Sequence, residues 1–280
     1  MRRLFAVLAL CLVASGAGAQ TARRVLLGGG RPLWSPAGAF GSSLVGYWDT
    51  TKSTITLNST TISSISDLST GGNSLVQASG ASQPTYSATG LNGLPAAVFS
   101  GAQLIFIGTG AGFTVAQPNT VITLFATGAA NPAFGTVWDG ALSSSGNREI
   151  FFQRRSDTTD QATMYAGTLQ GISGTQLSTS TPYLAALTFN GASSVYSLNG
   201  AALVTDNPGT FTISAGFIWG SGAIGATNAM QGALGLTMIV NRTLTTTEMQ
   251  KAQGYAAWQF GLNHVVLPSN HPYYNAPPRL

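Results

Sequence analysis

The chain contains one cysteine, two lysines, two glutamates and two histidines among its 280 residues. Cys11 lies in an apolar run at the very start, so no disulfide framework is available, and removal of that run leaves no thiol chemistry either. Charged side chains make up 7% of the residues and lysine and arginine do not cluster. Phosphate recognition needs such clusters, so a nucleic-acid partner is excluded. With glutamate confined to Glu149 and Glu248, paired-carboxylate catalysis has little to draw on. The histidines, His264 and His271, stand seven apart with prolines between and after them. That spacing is not a helical ligand pair, and no acid follows Glu248 to complete a set.

What remains is apolar, hydroxyl-rich and glycine-rich: 44% hydrophobic residues and 35 glycines. Arg2 and Arg3, the run LFAVLALCLVA and Ala17-Gly18-Ala19 have the three-part pattern of a secretory signal over residues 1–19. The run is too short to span a bilayer. Removal of those residues leaves 261, with ten basic against eight acidic side chains, a net of +2. The expected product is exported, has no membrane span and is held by burial and hydrogen bonding alone. Residues 20–43 mix Gly, Pro and three arginines without periodicity and read as a linker or arm. The GGG at 28–30 runs into Arg-Pro and so does not open a phosphate loop.

From residue 44 onward, short β-type runs alternate with turn residues: TVITLFAT (120–127), REIFFQRR (148–155), YLAALTFN (183–190), SVYSLNGAALVT (194–205), TFTISAGFIWG (210–220) and GALGLTMIVNRTL (232–244). The pattern predicts an all-β sandwich or jelly roll. Asn199-Gly200 marks a two-residue hairpin turn. Thr245-Thr246-Thr247-Glu248 is a capping box for one short C-terminal helix, which Gly261 can stop. A membrane β-barrel fits less well, because the runs are irregularly spaced and the end, NAPPRL, is no aromatic-terminated strand.

LVGYWDTT (44–51), DLSTGGNSLVQ (67–77), QPTY (83–86), NGLPAAVFSG (92–101), VYSLNG (195–200) and LTTTEMQKAQGYAAWQFGL…LPSNHPY (244–273) follow one another in an order that resembles the concanavalin A-like, laminin-G-like jelly rolls of bacterial surface proteins and phage tail or virion proteins. The resemblance covers most of residues 44–273. It implies a concanavalin A-like β-sandwich over 44–262 and a Pro-rich tail over 263–280 that packs back on the domain. On that comparison the histidine-rich end is structural, with Trp258, Phe260 and Tyr273 burying area and Pro268 and Pro272 stiffening the return. Some members hydrolyse glucans with a Glu-x-Asp-x-(x)-Glu strand that this sequence lacks, and Ser100 stands where relatives commonly have Asp, which weakens an inferred calcium site.

No cofactor is expected, and calcium is not favoured. Asp49 and Asp67, beside Thr, Ser and Gly, read as turn-forming; Asp157 and Asp160 could shape a turn or bind calcium, and the turn is preferred. Glu149, close to Arg148, Arg154 and Arg155, reads as a salt-bridge partner. Sugar binding calls for exposed aromatic faces with amides, carboxylates and arginines around them. The candidates are Trp138, Asp139, Asn147, Arg148, Arg154 and Tyr165. These observations define an exported, non-catalytic module that recognises carbohydrate or another surface ligand. The alternatives are a self-assembling or partner-binding protein of a cell surface, virion or phage tail and, less favoured, a glycan-active enzyme.

Overall fold

The structure is a computed structural model and describes residues 32–107, 112–130, 134–142, 147–155, 161–171, 177–222 and 228–280. The signal-like segment, residues 20–31 and the loop holding Asp157 and Asp160 lie outside these. Two units are distinguished. In the smaller, Leu33 forms a β-bridge with Arg279, and the Leu280 N–H donates to the Pro32 carbonyl at 3.1 Å. The larger runs from Trp34 to Pro278.

Its strands, in chain order, are β1 (Leu44–Asp49), β2 (Ile55–Asn58), β3 (Thr61–Ile65), β4 (Leu75–Val76), β5 (Thr85–Leu91), β6 (Leu94–Ser100), β7 (Ile105–Ile107), β8 (Asn119–Thr127), β9 (Phe134–Asp139), β10 (Ile150–Arg155), β11 (Gln161–Tyr165), β12 (Leu169–Gly171), β13 (Pro182–Phe189), β14 (Ser194–Leu198), β15 (Val204–Asp206), β16 (Ile218–Trp219) and β17 (Gln231–Val240). Pairing between them is antiparallel throughout. In one sheet, β17 pairs along one side with β1 and β6 and along the other with β8, and the ladder continues through β13 and β14 to β15. The second sheet runs from β2 through β3, β4, β7, β16, β9, β10 and β11 to β12. The expected β-sandwich is therefore the observed architecture.

The first sheet is buried on both faces, and period-two alternation shows how. In β8, Val121 and Phe125 join the core between the sheets, while Ile122 and Leu124 join a second core on the opposite face. In β13, Ala185 and Leu187 face the first core and Leu184 and Ala186 the second. Aromatic rings fill the inter-sheet core: Phe217 stacks on both Trp48 and Trp138, with centroids 5.4 and 5.5 Å away.

The second core is closed by helices. They are α1 (Pro36–Phe40), α2 (Thr246–Gln259) and α3 (Asn263–Val266). The predicted capping box is present: the Glu248 N–H donates to Thr245 Oγ1 and the Thr245 N–H to Glu248 Oε2. Gly261, at φ 65°, follows the C-cap as expected. Met249, Ala252, Ala256 and Ala257 turn inward. A hydroxyl chain ties the helix to β1, because Tyr47 and Tyr255 share a 2.8 Å hydrogen bond and Tyr47 also donates to the buried Asp49. Burial holds the Asp49 carboxyl above its usual range.

Two expectations change here. Trp34 and Phe40, read as the end of an arm, are buried together in the second core with ring centroids 5.5 Å apart. Their large apolar area outweighs the irregular sequence around them. Of TFTISAGFIWG, only Ile218–Trp219 forms a strand, plus an isolated bridge at Ile213. Between Ile213 and Ile218, Ala215 and Gly216 both take positive φ (61° and 154°), which interrupts the pairing.

Candidate functional site

The six residues singled out for sugar contact do not form an open surface. Trp138 pairs across to Phe151 and Asp139 to Ile150, so the pleat sends the two neighbours to opposite faces. Trp138 is fully buried in the inter-sheet core among Phe151, Phe189 and Phe217. It cannot offer a face to a sugar ring, which corrects that expectation. Asp139 is also fully buried; its Oδ2 lies 3.0 Å from Arg148 Nη1, and its Oδ1 accepts from the Ala141 N–H. Tyr165 is half-buried with its ring edge-on to Phe211 at 6.2 Å, and Asn147 is exposed. Arg154 lies on β10 opposite Gly135; its side chain is not among those described. Among the described side chains, Asp139 and Arg148 are brought into contact as an ion pair beside the start of β10.

Glu149 is not the salt-bridge partner it was read to be. It is fully buried, and Oε1 accepts from Asn119 Nδ2 at 2.8 Å. Glu149 Oε2 and Asn119 Oδ1 have no hydrogen-bond partner. Two residues before Phe151, Glu149 shares its inward direction, away from the charged neighbours in sequence. Burial raises this carboxyl well above the ordinary range, against the amide contacts of Asn119 and Gln117.

Asp49 and Asp67 do shape turns. Asp49 Oδ1 accepts from the Thr51 N–H and hydroxyl, and Asp67 accepts from the N–H groups of Tyr47, Ser69 and Asn73.

A groove of about 430 Å³ opens elsewhere, between the β14–β15 turn, helix α2 and the C-terminal segment. Its first wall is the Asn199-Gly200 turn, with both residues at positive φ (53° and 65°). A Cβ on Gly200 would also approach Leu267, Pro268 and His271 to within 3.0–3.2 Å, so glycine serves both the turn and the contact. The second wall is α2, which presents Thr246, Gln250 and Gln253. The third is the segment carrying Asn270 and His271.

That segment is fastened to the helix at several points. Trp258 Nε1 donates to the Tyr273 carbonyl at 2.7 Å and Asn263 Nδ2 to the Tyr274 carbonyl at 2.8 Å. The Tyr273 ring lies on Gly254, where a Cβ would come 2.5 Å from Tyr273 Cβ. The histidines separate: exposed His264 lies against Tyr274 at 4.4 Å between centroids, whereas His271 is buried at the groove wall. The Tyr273 N–H donates to His271 Nδ1 at 3.2 Å, and His271 Nε2 lies 3.4 Å from Gln253 Oε1. Gln253 is itself oriented, since Nε2 donates to Ser197 Oγ, whose hydroxyl donates to the Ala201 carbonyl. Among the described residues no group of three His, Cys, Asp or Glu side chains could hold a metal ion.

The sequence contained the parts of this groove, namely the Asn-Gly turn, the capped helix and the His-Pro-Tyr segment. It held no signal that the three converge. Periodicity describes each element but not which loops meet at its ends.

No family model matches the chain, and no curated protein matches it. Solved structures do. The chain is similar to domain 4 of AbnA, a GH43 extracellular arabinanase from Geobacillus stearothermophilus solved with arabinotriose, with TM-score 0.53 and 14% identity over 74% of this chain and 96% of that one. A GH54 α-L-arabinofuranosidase gives TM-score 0.54 and 15% identity over 79% of this chain and 64% of that one. A Trypanosoma rangeli sialidase solved with sialic acid gives 0.52 and 12% over 90% and 38%. The chain thus spans less than two thirds of the latter two. At these identities the likeness establishes the fold class alone, a β-sandwich.

Proposed function

We propose that the protein is an exported, non-catalytic module that binds carbohydrate in the groove between the β14–β15 turn, α2 and the C-terminal segment. The carrying observation is the lining, where Thr246, Gln250 and Asn270 make no side-chain hydrogen bond with described residues and no carboxylate is present. Free amides and a hydroxyl are what sugar hydroxyls pair with. Glycoside hydrolysis in its usual form needs two carboxyls roughly 5–9.5 Å apart. Neither glutamate is in the groove: Glu149 is in the interior and Glu248 is tied to Arg242. The three similar structures, an arabinanase domain, an α-L-arabinofuranosidase and a sialidase, support a carbohydrate ligand. The signal-like first 19 residues support export.

A second reading has its own observation. Strand β15 pairs, among the described residues, only with β14, and its first residue, Val204, and the preceding Leu203 are 45% and 37% exposed. An open edge with apolar side chains suits pairing with another chain, as in a surface assembly. A broad glycan array probed with the full chain and with a Gln250→Ala variant separates the two. Selective binding that the variant weakens supports recognition; a blank array, together with concentration-dependent association abolished by Val204→Lys, would favour assembly.

A further inference from the structure

We propose that the groove takes an uncharged saccharide and that His271, fixed as the tautomer protonated on Nε2, is the donor that orients it. This rests on the carbohydrate reading above.

None of the residues lining the groove is charged. A uronate, sialate or sulfate placed there would give up its water without a cationic partner, and an amino sugar cation would find no carboxylate. A neutral polyol meets no such cost. Its hydroxyls both donate and accept, and Gln250 and Asn270 each offer a carbonyl and an amino group, with the Thr246 hydroxyl between the two roles. At about 430 Å³, the groove lies toward the lower end of the roughly 300–1,000 Å³ range of small-ligand sites, which suits a short oligosaccharide or a chain end.

The tautomer follows from geometry. His271 Nδ1 accepts the Tyr273 N–H, so in the neutral ring the proton sits on Nε2. Nε2 faces Gln253 Oε1 at 3.4 Å, a long contact that leaves the N–H available to a better acceptor. Gln253 cannot turn to compete, because its amino group is held by Ser197. Burial also lowers the His271 pKa from the ordinary 6.5, which keeps the ring neutral at pH 7 and the groove uncharged. The groove thus holds one donor of fixed direction and three adaptable partners.

The test titrates the purified full chain with neutral array hits and with the uronate or sialylated counterpart of each, alongside His271→Asn, Gln250→Ala and Asn270→Ala. Asn at 271 places its Oδ1 near the Nδ1 position and can keep the Tyr273 bond while removing the groove donor. Expected are neutral ligands at least tenfold tighter than their anionic counterparts, and losses of about 3- to 10-fold for each variant, the worth of one neutral hydrogen bond. Should His271→Asn fail to fold, the Gln250 and Asn270 variants carry the test, since neither side chain makes a hydrogen bond with described residues. Equal or tighter anionic binding that the variants still weaken would overturn the neutral-ligand inference and leave the carbohydrate reading standing. Binding indifferent to all three variants would move the site elsewhere. No binding to any glycan would overturn the carbohydrate reading itself.

Discussion

Asn119 and Glu149 meet amide to carboxyl in the interior, and each keeps one oxygen that accepts nothing. A proton on the carboxyl removes a buried charge and creates a donor, for which Asn119 Oδ1 is an unused acceptor. Among the described residues no charged side chain joins the pair; Arg148, next in sequence, is paired with Asp139. Because the folded-state pKa is raised, the stability this group contributes is complete below its unfolded value near 4.5 and is lost as pH rises through the folded value. Glu149→Gln keeps the pairing without needing the proton. It should be more stable than the parent by about 1–3 kcal/mol at pH 8, with the gap closing toward pH 4.5, read from urea midpoints. A variant weaker than the parent at every pH would refute the neutral-carboxyl assignment. His271 acts in the opposite sense: its lowered pKa gives stability that is present above 6.5 and declines as pH falls through the folded value. Unfolding midpoints should therefore drop below pH 6.5 in the parent and less so in His271→Asn. The sequence pointed away from the state of Glu149, since arginines nearby in the chain suggest pairing while strand alternation turns the carboxyl inward.

Helix α2 was the most legible element, because a capping box and a stop glycine are local signals that no distant contact needs to complete. Its start is reinforced by Arg242, which meets both Glu248 carboxylate oxygens at 3.0 and 2.7 Å. Together with the capping bonds this lowers the Glu248 pKa to about 2. The stability is present above pH 4.5 and lost as pH falls toward 2. The pair is about one third exposed, so the ionic part is discounted for solvent screening. Glu248→Ala should cost about 1 kcal/mol, mostly from the capping bonds, and the loss should shrink at pH 2, measured by thermal unfolding. Gly254→Ala should cost about 1–3 kcal/mol by pushing Tyr273 off the helix, which fluorescence of Trp258 would report. That contact was invisible in the sequence, where a mid-helix glycine looks only like a weak helix former.

For the whole molecule, alternation and turn residues made the β-sandwich readable, while the way its loops converge was not. In the structure, β8, β13 and β17 bury apolar residues on both faces, so this sheet is covered twice. The candidate aromatic surface failed for the same reason: in a chain with so few charges, most large rings are needed inside, and Trp138 is one of them. Trp34 belongs with them although it lies in a segment without periodicity. Trp34→Ala should cost about 3–5 kcal/mol, and unfolding unaffected by it would show that this segment is dispensable to the domain.

Strand β17 has hydrogen-bonded neighbours along both sides and a core on each face. Its amide protons, with those of β8 and β13, have no local route to solvent and should exchange with deuterium only when the domain opens as a whole. β15, paired on one side and exposed, should exchange through fraying. The groove stands at that labile margin, so a bound ligand would register there first, as slower exchange at Ala201–Asp206 over an interior that does not change.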